Sequence, residues 1–260
     1  MTDSTRRFPP GRPALVVGHP GHELRVHHWL ERTQPLVCVI TDGSGHGPSG
    51  RLASTTAVLD AAGATRGSIY GRFPDREVYQ LLVGAQVETW VAMAAELAAQ
   101  LVQADVAYVV ADAAEGFNPT HDLCRYVADA AVAQASARLT REVPVFEFDL
   151  DASPDAASDV AVCLDLDAPA LERKLAAGLG YVEMRGEVEA MLARYGSAAF
   201  GHERFRPAAS GQRLWSADDR PAYERFGRDR LASGVYQTLI TYTEHLAPVQ
   251  HALQGTAVSP

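Results

Sequence analysis

The chain has 260 residues, 47% of them hydrophobic and 21% charged, with a formal net charge of -9. That length supports one large domain with a substantial core, and the acidic balance excludes general binding to a nucleic-acid backbone, which relies on Lys and Arg. No run of about 20 apolar residues is present, so no membrane-spanning helix is expected.

Residues 1–12 read as a flexible polar lead-in without the apolar core of a secretory signal, which makes cytoplasmic residence the expectation. Ala14 to Val17 form a short apolar run that reads as a fully buried strand, followed by Gly18-His19-Pro20-Gly21-His22-Glu23. His19 and His22 flank a tight Pro-Gly turn just past the strand's carboxyl end, the edge at which open parallel sheets bind ligands. Two imidazoles able to face one point suggest a metal ion.

A helix follows to Thr33, and Gln34 to Thr41 reads as a second buried strand. The Gly-rich loop from Asp42 to Gly47 lacks the Gly-Lys-Ser/Thr ending of a phosphate loop, so no nucleotide cofactor is expected. The pattern then predicts a helix over Leu52 to Ala62, a weak strand over Ser68 to Tyr70 and one long helix over Glu77 to Gln103. A strand over 104–111 leads to the loop Asp112 to Pro119 and a helix from Thr120 or His121 to Leu139. Strands over 143–150 and 161–166 precede a long helix over 168–194, with Pro169 in its first turn. Beyond Gly196 the chain reads as a loop-rich extension with a helix near 221–234. Cys38, Cys124 and Cys163 show no CxxC spacing, and Cys38 and Cys163 are expected as small buried hydrophobes.

Strands alternating with helices specify an α/β protein with a mostly parallel sheet flanked by helices, read as a single domain over 13–260. The loop after the 104–111 strand carries Glu115-Gly116-Phe117-Asn118-Pro119-Thr120-His121-Asp122. It follows a strand end like the first histidine loop, so His121 is expected on the same edge of the sheet. Three histidines make a metal site with an open fourth position.

The two loops together resemble the LmbE-like, or PIG-L, family of metal-dependent N-acetylglucosaminyl deacetylases. Gly18 to Glu23 is similar to that family's Ala-His-Pro-Asp-Asp-Glu motif, and Glu115 to Asp122 to its second motif. Thr41-Asp42-Gly43, Arg173 to Ala177 with Tyr181, and Glu203-Arg204-Phe205 extend the resemblance along most of the chain. It implies a Rossmann-like fold and a zinc site, with another divalent transition metal as the variant. His19, His22 and His121 are the implied ligands, His22 standing where the family has an aspartate. Gly21 stands where the family has the aspartate that serves as general base, Asn118 replaces a carbonyl-polarising histidine, and Thr120 replaces an acidic residue. Asn118 is then left to contact the reacting oxygen.

Glu23, Asp42 and Glu115 are the candidate replacements for the missing base. Glu23, at a helix start, is expected rather to serve the helix dipole or a local hydrogen-bond network, and Asp42 or Glu115 is alternatively placed to orient a ligand histidine. His46, Arg51 and Arg72 are candidate substrate contacts. Asp149 and Asp151 lack the spacing of a calcium loop. The aromatic tail, with Trp215, Tyr223, Phe226, Tyr236 and Tyr242, is expected chiefly in core packing. The Arg-over-Lys bias suits a GC-rich bacterial genome. The expected function is a divergent enzyme acting on a small polar substrate, by amide or ester hydrolysis of the N-deacetylase type with metal-activated water. Non-hydrolytic metal chemistry in a specialised biosynthetic pathway is the alternative, and an inactive binding paralogue the second. No membrane or nucleic-acid partner is expected, and a homo-oligomer is left open.

Overall fold

In a computed structural model the chain is described over residues 7–45, 49–150, 160–208, 215–216 and 219–256. The fold is Rossmann-like α/β, built on a seven-stranded sheet. The strands are β1 (Pro13–Val17), β2 (Leu36–Thr41), β3 (Thr65–Phe73), β4 (Tyr108–Asp112), β5 (Val145–Phe148), β6 (Val162–Asp165) and β7 (His202–Pro207), in the order β3-β2-β1-β4-β5-β7-β6. β1 pairs in parallel with β2 on one side and β4 on the other, so the order reverses between β1 and β4.

Alternation along the central strands divides the core. Ala14 and Val16 face one layer together with Cys38, Ile40 and Val109. Leu15 and Val17 face the other with Val37, Val39 and Val110. Both faces are covered by helices, which is why these strands read as unbroken apolar runs. The first layer is closed by α4 (Val87–Gln103), α5 (Pro119–Leu139) and α9 (Ala247–Thr256). The second is closed by α1 (His27–Thr33) and α2 (Leu52–Ala62).

Four local expectations change. The long helix over 77–103 is two helices, α3 (Asp75–Val83) and α4, broken at Gly84 and Ala85, whose φ is 51°. The helix over 168–194 is likewise α6 (Ala168–Gly180) and α7 (Arg185–Tyr195), broken where the buried Tyr181 hydroxyl meets Thr55 Oγ1 at 2.8 Å. β3 is a full nine-residue strand rather than a three-residue one. It lies at the sheet edge, so most of its residues are not buried and it carries no continuous apolar signature. Within the loop-rich region lie β7, α8 (Ala222–Ala232) and α9. β7 runs antiparallel between β5 and β6, burying Glu203 and Phe205 on one face and alternating them with more exposed residues.

Residues 1–6 of the expected lead-in lie outside the described residues. Phe8 stacks on Tyr108 at 4.8 Å and meets Phe146 and Phe205 edge-on, so this part of the lead-in is packed. Cys38 and Cys124 are buried as small hydrophobes, whereas Cys163 is exposed because β6 is the other edge strand. Among the described residues no helix is long and apolar enough to cross a membrane.

One buried ion pair fastens the second layer. Glu203 on β7 accepts from Lys174 Nζ at 2.8 Å and from the His28 and Trp29 amides at 2.8 Å each, capping the first turn of α1. Lys174 also donates to the Arg25 carbonyl. Burial lowers the lysine's pKa, and Glu203 opposes that shift only in part. Removing one partner leaves the other charge buried alone, so Glu203→Ala is expected to destabilise the protein by about 3–5 kcal/mol in urea unfolding.

Candidate metal centre

Two turns and a helix start bring three imidazoles together. His19 and His22 follow β1, and His121 sits in the first turn of α5. Asn118 begins that helix, its Oδ1 accepting from the Thr120 amide at 2.8 Å, and Pro119 follows at the first helical position. The His19 and His22 ring centroids are 5.3 Å apart, His19 and His121 5.1 Å, and His22 and His121 4.7 Å. This convergence lies beyond the carboxyl ends of β1 and β4, where the strand order reverses.

Two carboxylates orient the rings. His19 Nδ1 donates to Asp75 Oδ1 at 3.0 Å, with the Thr41 hydroxyl 2.8 Å from the same nitrogen. His22 Nδ1 donates to Asp112 Oδ2 at 2.8 Å. An imidazole that gives its Nδ1 proton to a carboxylate presents the Nε2 lone pair, the tautomer a metal ligand needs. His19 Nε2 and His121 Nδ1 are buried without a hydrogen-bond partner. Burial lowers the pKa of His19, and lowers that of His121 well below 6.5 with help from its two histidine neighbours. Neutral rings with orphaned nitrogens suit a divalent transition metal. Burial would raise the pKa of Asp75, but its hydrogen bond and charge interaction with His19, joined by Thr41 and the Gly45 amide, hold it well below the ordinary carboxylate range.

Asp75 and Asp112 were not among the residues singled out by sequence. Asp112 ends a strand in the loop region already marked, and Asp75 follows the Phe73-Pro74 turn, so each had a positional signal without a partner to give it meaning. A second group, Cys163, Asp165 and His202, already places its ligand atoms within 4.8 Å of one another on the β6–β7 edge. All three are exposed, and Cys163 pairs in register with Arg204, a poor neighbour for a cation. With His121 buried, and with orphaned nitrogens on His19 and His121, the three histidines are the stronger metal candidate.

The remaining candidates divide. Asn118 and Arg51 line a cleft of about 1310 Å³ together with all three histidines. Asp42 instead accepts from the Ser44 amide at 2.9 Å and shapes its own loop. Glu115 accepts from the Leu150 amide at 3.0 Å. Neither belongs to the described lining of the cleft or of the smaller cavity beside it. Arg72 is turned outward on β3 and held by Glu96 at 2.8 Å, so it does not reach the cleft. His46 lies outside the described residues. Glu23 is fully buried, accepting from the Gly21 amide at 2.7 Å and Thr55 Oγ1 at 2.8 Å, and it holds the turn as expected. Of the aromatic tail, Trp215, Tyr223 and Tyr242 are core residues, while Phe226 and Tyr236 line the cleft.

The space at position 21 is filled from elsewhere. Gly21 has φ of 103°, and a Cβ built there would stand 2.1 Å from Met184 Sδ. The break between α6 and α7 delivers that thioether to the place where an aspartate side chain would begin.

The architecture has known counterparts among solved structures. The conserved protein TT1542 from Thermus thermophilus aligns at 20% identity and a TM-score of 0.52, over 78% of this chain and 97% of that one. The A40926 pseudoaglycone deacetylase Dbv21 aligns at 20% identity and a TM-score of 0.50, over 80% of this chain and all of that one. No protein-family model and no curated protein matches the chain. These likenesses show a shared fold. With zinc bound at the three histidines, Asp112→Asn is expected to weaken zinc affinity by about 10–100-fold, measured by competition with a chelator.

Proposed function

We propose that the chain is a metal-dependent hydrolase of N-acyl amide bonds, a divergent relative of the LmbE-like deacetylases that acts on a small polar amine. The carrying observation is the convergence of His19, His22 and His121 with two of the rings oriented by Asp75 and Asp112. The two loop motifs support the family reading. A pseudoaglycone deacetylase shares the fold, which supports a deacylase reading.

His19, His22 and His121 would hold the metal, zinc by their chemistry. When bound, such an ion supplies Lewis acidity for a carbonyl and for water. Asp75 and Asp112 hold the rings in the ligating tautomer. Asn118 has its Oδ1 committed to the helix start, which leaves its amide N–H groups to meet the acyl oxygen. The partial positive charge at the α5 N-terminus favours negative charge developing there. Arg51, Arg76 and Arg230 line the cleft and suit a polar or anionic portion of the substrate. For proton transfer, the carboxylate available is Glu187 on α7, which lines both the cleft and the adjoining cavity with His22 and His121.

One observation favours a second reading. With Met184 occupying the space beside Gly21, the position nearest the histidines carries no base, as suits metal chemistry that does not activate water.

The zinc-loaded protein is expected to hydrolyse an N-acylated amino sugar, to lose that activity on chelation and to regain it when zinc is restored. Glu187→Gln should lower kcat by about 100-fold or more while zinc stays bound. Zinc bound at one equivalent with no hydrolysis of any N-acyl amine would favour the second reading.

A further inference from the structure

We propose that the cavity behind Gly21 holds an apolar acyl arm of the substrate, of about six carbons or more, with the amide placed at the histidines between it and the polar cleft. This rests on the hydrolase reading and adds the class of acyl group to it.

The three histidines do not sit at the bottom of one pocket. A second cavity, of about 370 Å³, opens on the other side of His22 and His121, and the two spaces share Phe117 and Glu187 as well. They differ in chemistry. Arginines border both spaces, but the smaller carries an apolar wall of Leu24, Phe148, Met184, Val188, Met191 and Phe200. Of the charges bordering the smaller space, Lys174 is matched with Glu203 at 2.8 Å and Asp149 with Arg206 at 2.6 Å. Arg25 and Arg204 are engaged within the protein, and Glu187 stands where this space meets the cleft. Such a wall offers little to a charged ligand and much to a hydrocarbon chain.

Gly21 and Met184 form one device. A Cβ at position 21, where φ is 103°, would stand 2.1 Å from the Met184 sulfur, so a side chain there would strain the backbone and push the thioether out of its place. A carboxylate there would also face this apolar wall and lose its hydration. The glycine therefore lets an apolar surface run up to the histidines. Methionine suits that surface, being unbranched and able to adapt to a flexible chain. A space of about 370 Å³ equals roughly a dozen waters at ~30 Å³ each, far more than a two-carbon acetyl group fills.

The test uses the full-length zinc-loaded protein and glucosamine N-acylated with acetyl, butanoyl, hexanoyl or octanoyl. Each added methylene buried should raise kcat/KM by about fourfold up to hexanoyl. Met191→Trp, a change on the half-exposed helix α7, should flatten that rise. Independently of turnover, calorimetry should show octanoate binding at least tenfold more tightly than acetate, with the advantage lost in Met191→Trp. Hydrolysis of the acetyl compound with a flat chain-length profile, and octanoate binding no better than acetate, would overturn the acyl-arm proposal and leave the hydrolase reading standing. No hydrolysis, but octanoate binding that Met191→Trp abolishes, would keep the apolar site and defeat the hydrolase reading. Failure in both assays would overturn both.

Discussion

The carboxylate of Asp112 is the contact on which the rest of the site depends. It ends β4 in full burial, and its Oδ2 accepts from the Gly18 amide at 2.7 Å and from His22 Nδ1 at 2.8 Å. A buried carboxylate is costly unless donors satisfy it; here the neighbouring strand end and a ring of the site both donate to Oδ2, while Oδ1 is buried without a partner. The same oxygen thus joins β1 to β4 where the strand order reverses and fixes the orientation of His22. Glu23 and Asp75 repeat the principle nearby, one holding the Gly21 amide and the other His19. Three carboxylates thus act on the one loop after β1, which leaves His19 and His22 little freedom to turn away from each other.

The two halves of the chain divide the labour. The part up to α5 supplies the histidines, their orienting carboxylates and the polar helix start at Asn118. The later part shapes what lies on either side. Tyr181, anchored to Thr55, breaks the α6–α7 path and sends Met184 toward Gly21. Residues of α8 and the segment after it wall the polar cleft. Lys174 and Glu203 fasten this region to the start of α1, directly after the first histidine loop, so packing in the later part bears on the geometry of the earlier one. The arrangement sets three histidines between a polar cleft and an apolar wall.

The central architecture was legible in the sequence by itself. β1, β2 and β4 are buried on both faces, so their apolar runs stand out between turn residues. His19, His22 and His121 follow strand ends, and Asn118-Pro119 marks the helix that presents the third. Those are local signals, carried by neighbours within a few residues. Only the 68–70 part of edge strand β3 was legible, and the antiparallel β7 and the breaks in the two long helices were not. A strand with an exposed face or edge needs no continuous apolar run, and a helix break shows its purpose only in what it packs against.

Only the tertiary structure decided the identity of the orienting carboxylates and the meaning of Gly21. His22 meets Asp112 across 90 residues of sequence and His19 meets Asp75 across 56, separations over which no periodic pattern speaks. Arg72, close to the site in sequence, is carried outward by the pleat of β3, while Glu187 and Met184, far along the chain, are brought in. From sequence the glycine at position 21 is a missing carboxylate. In the folded chain it is the space taken by a methionine, because two side chains cannot share one volume.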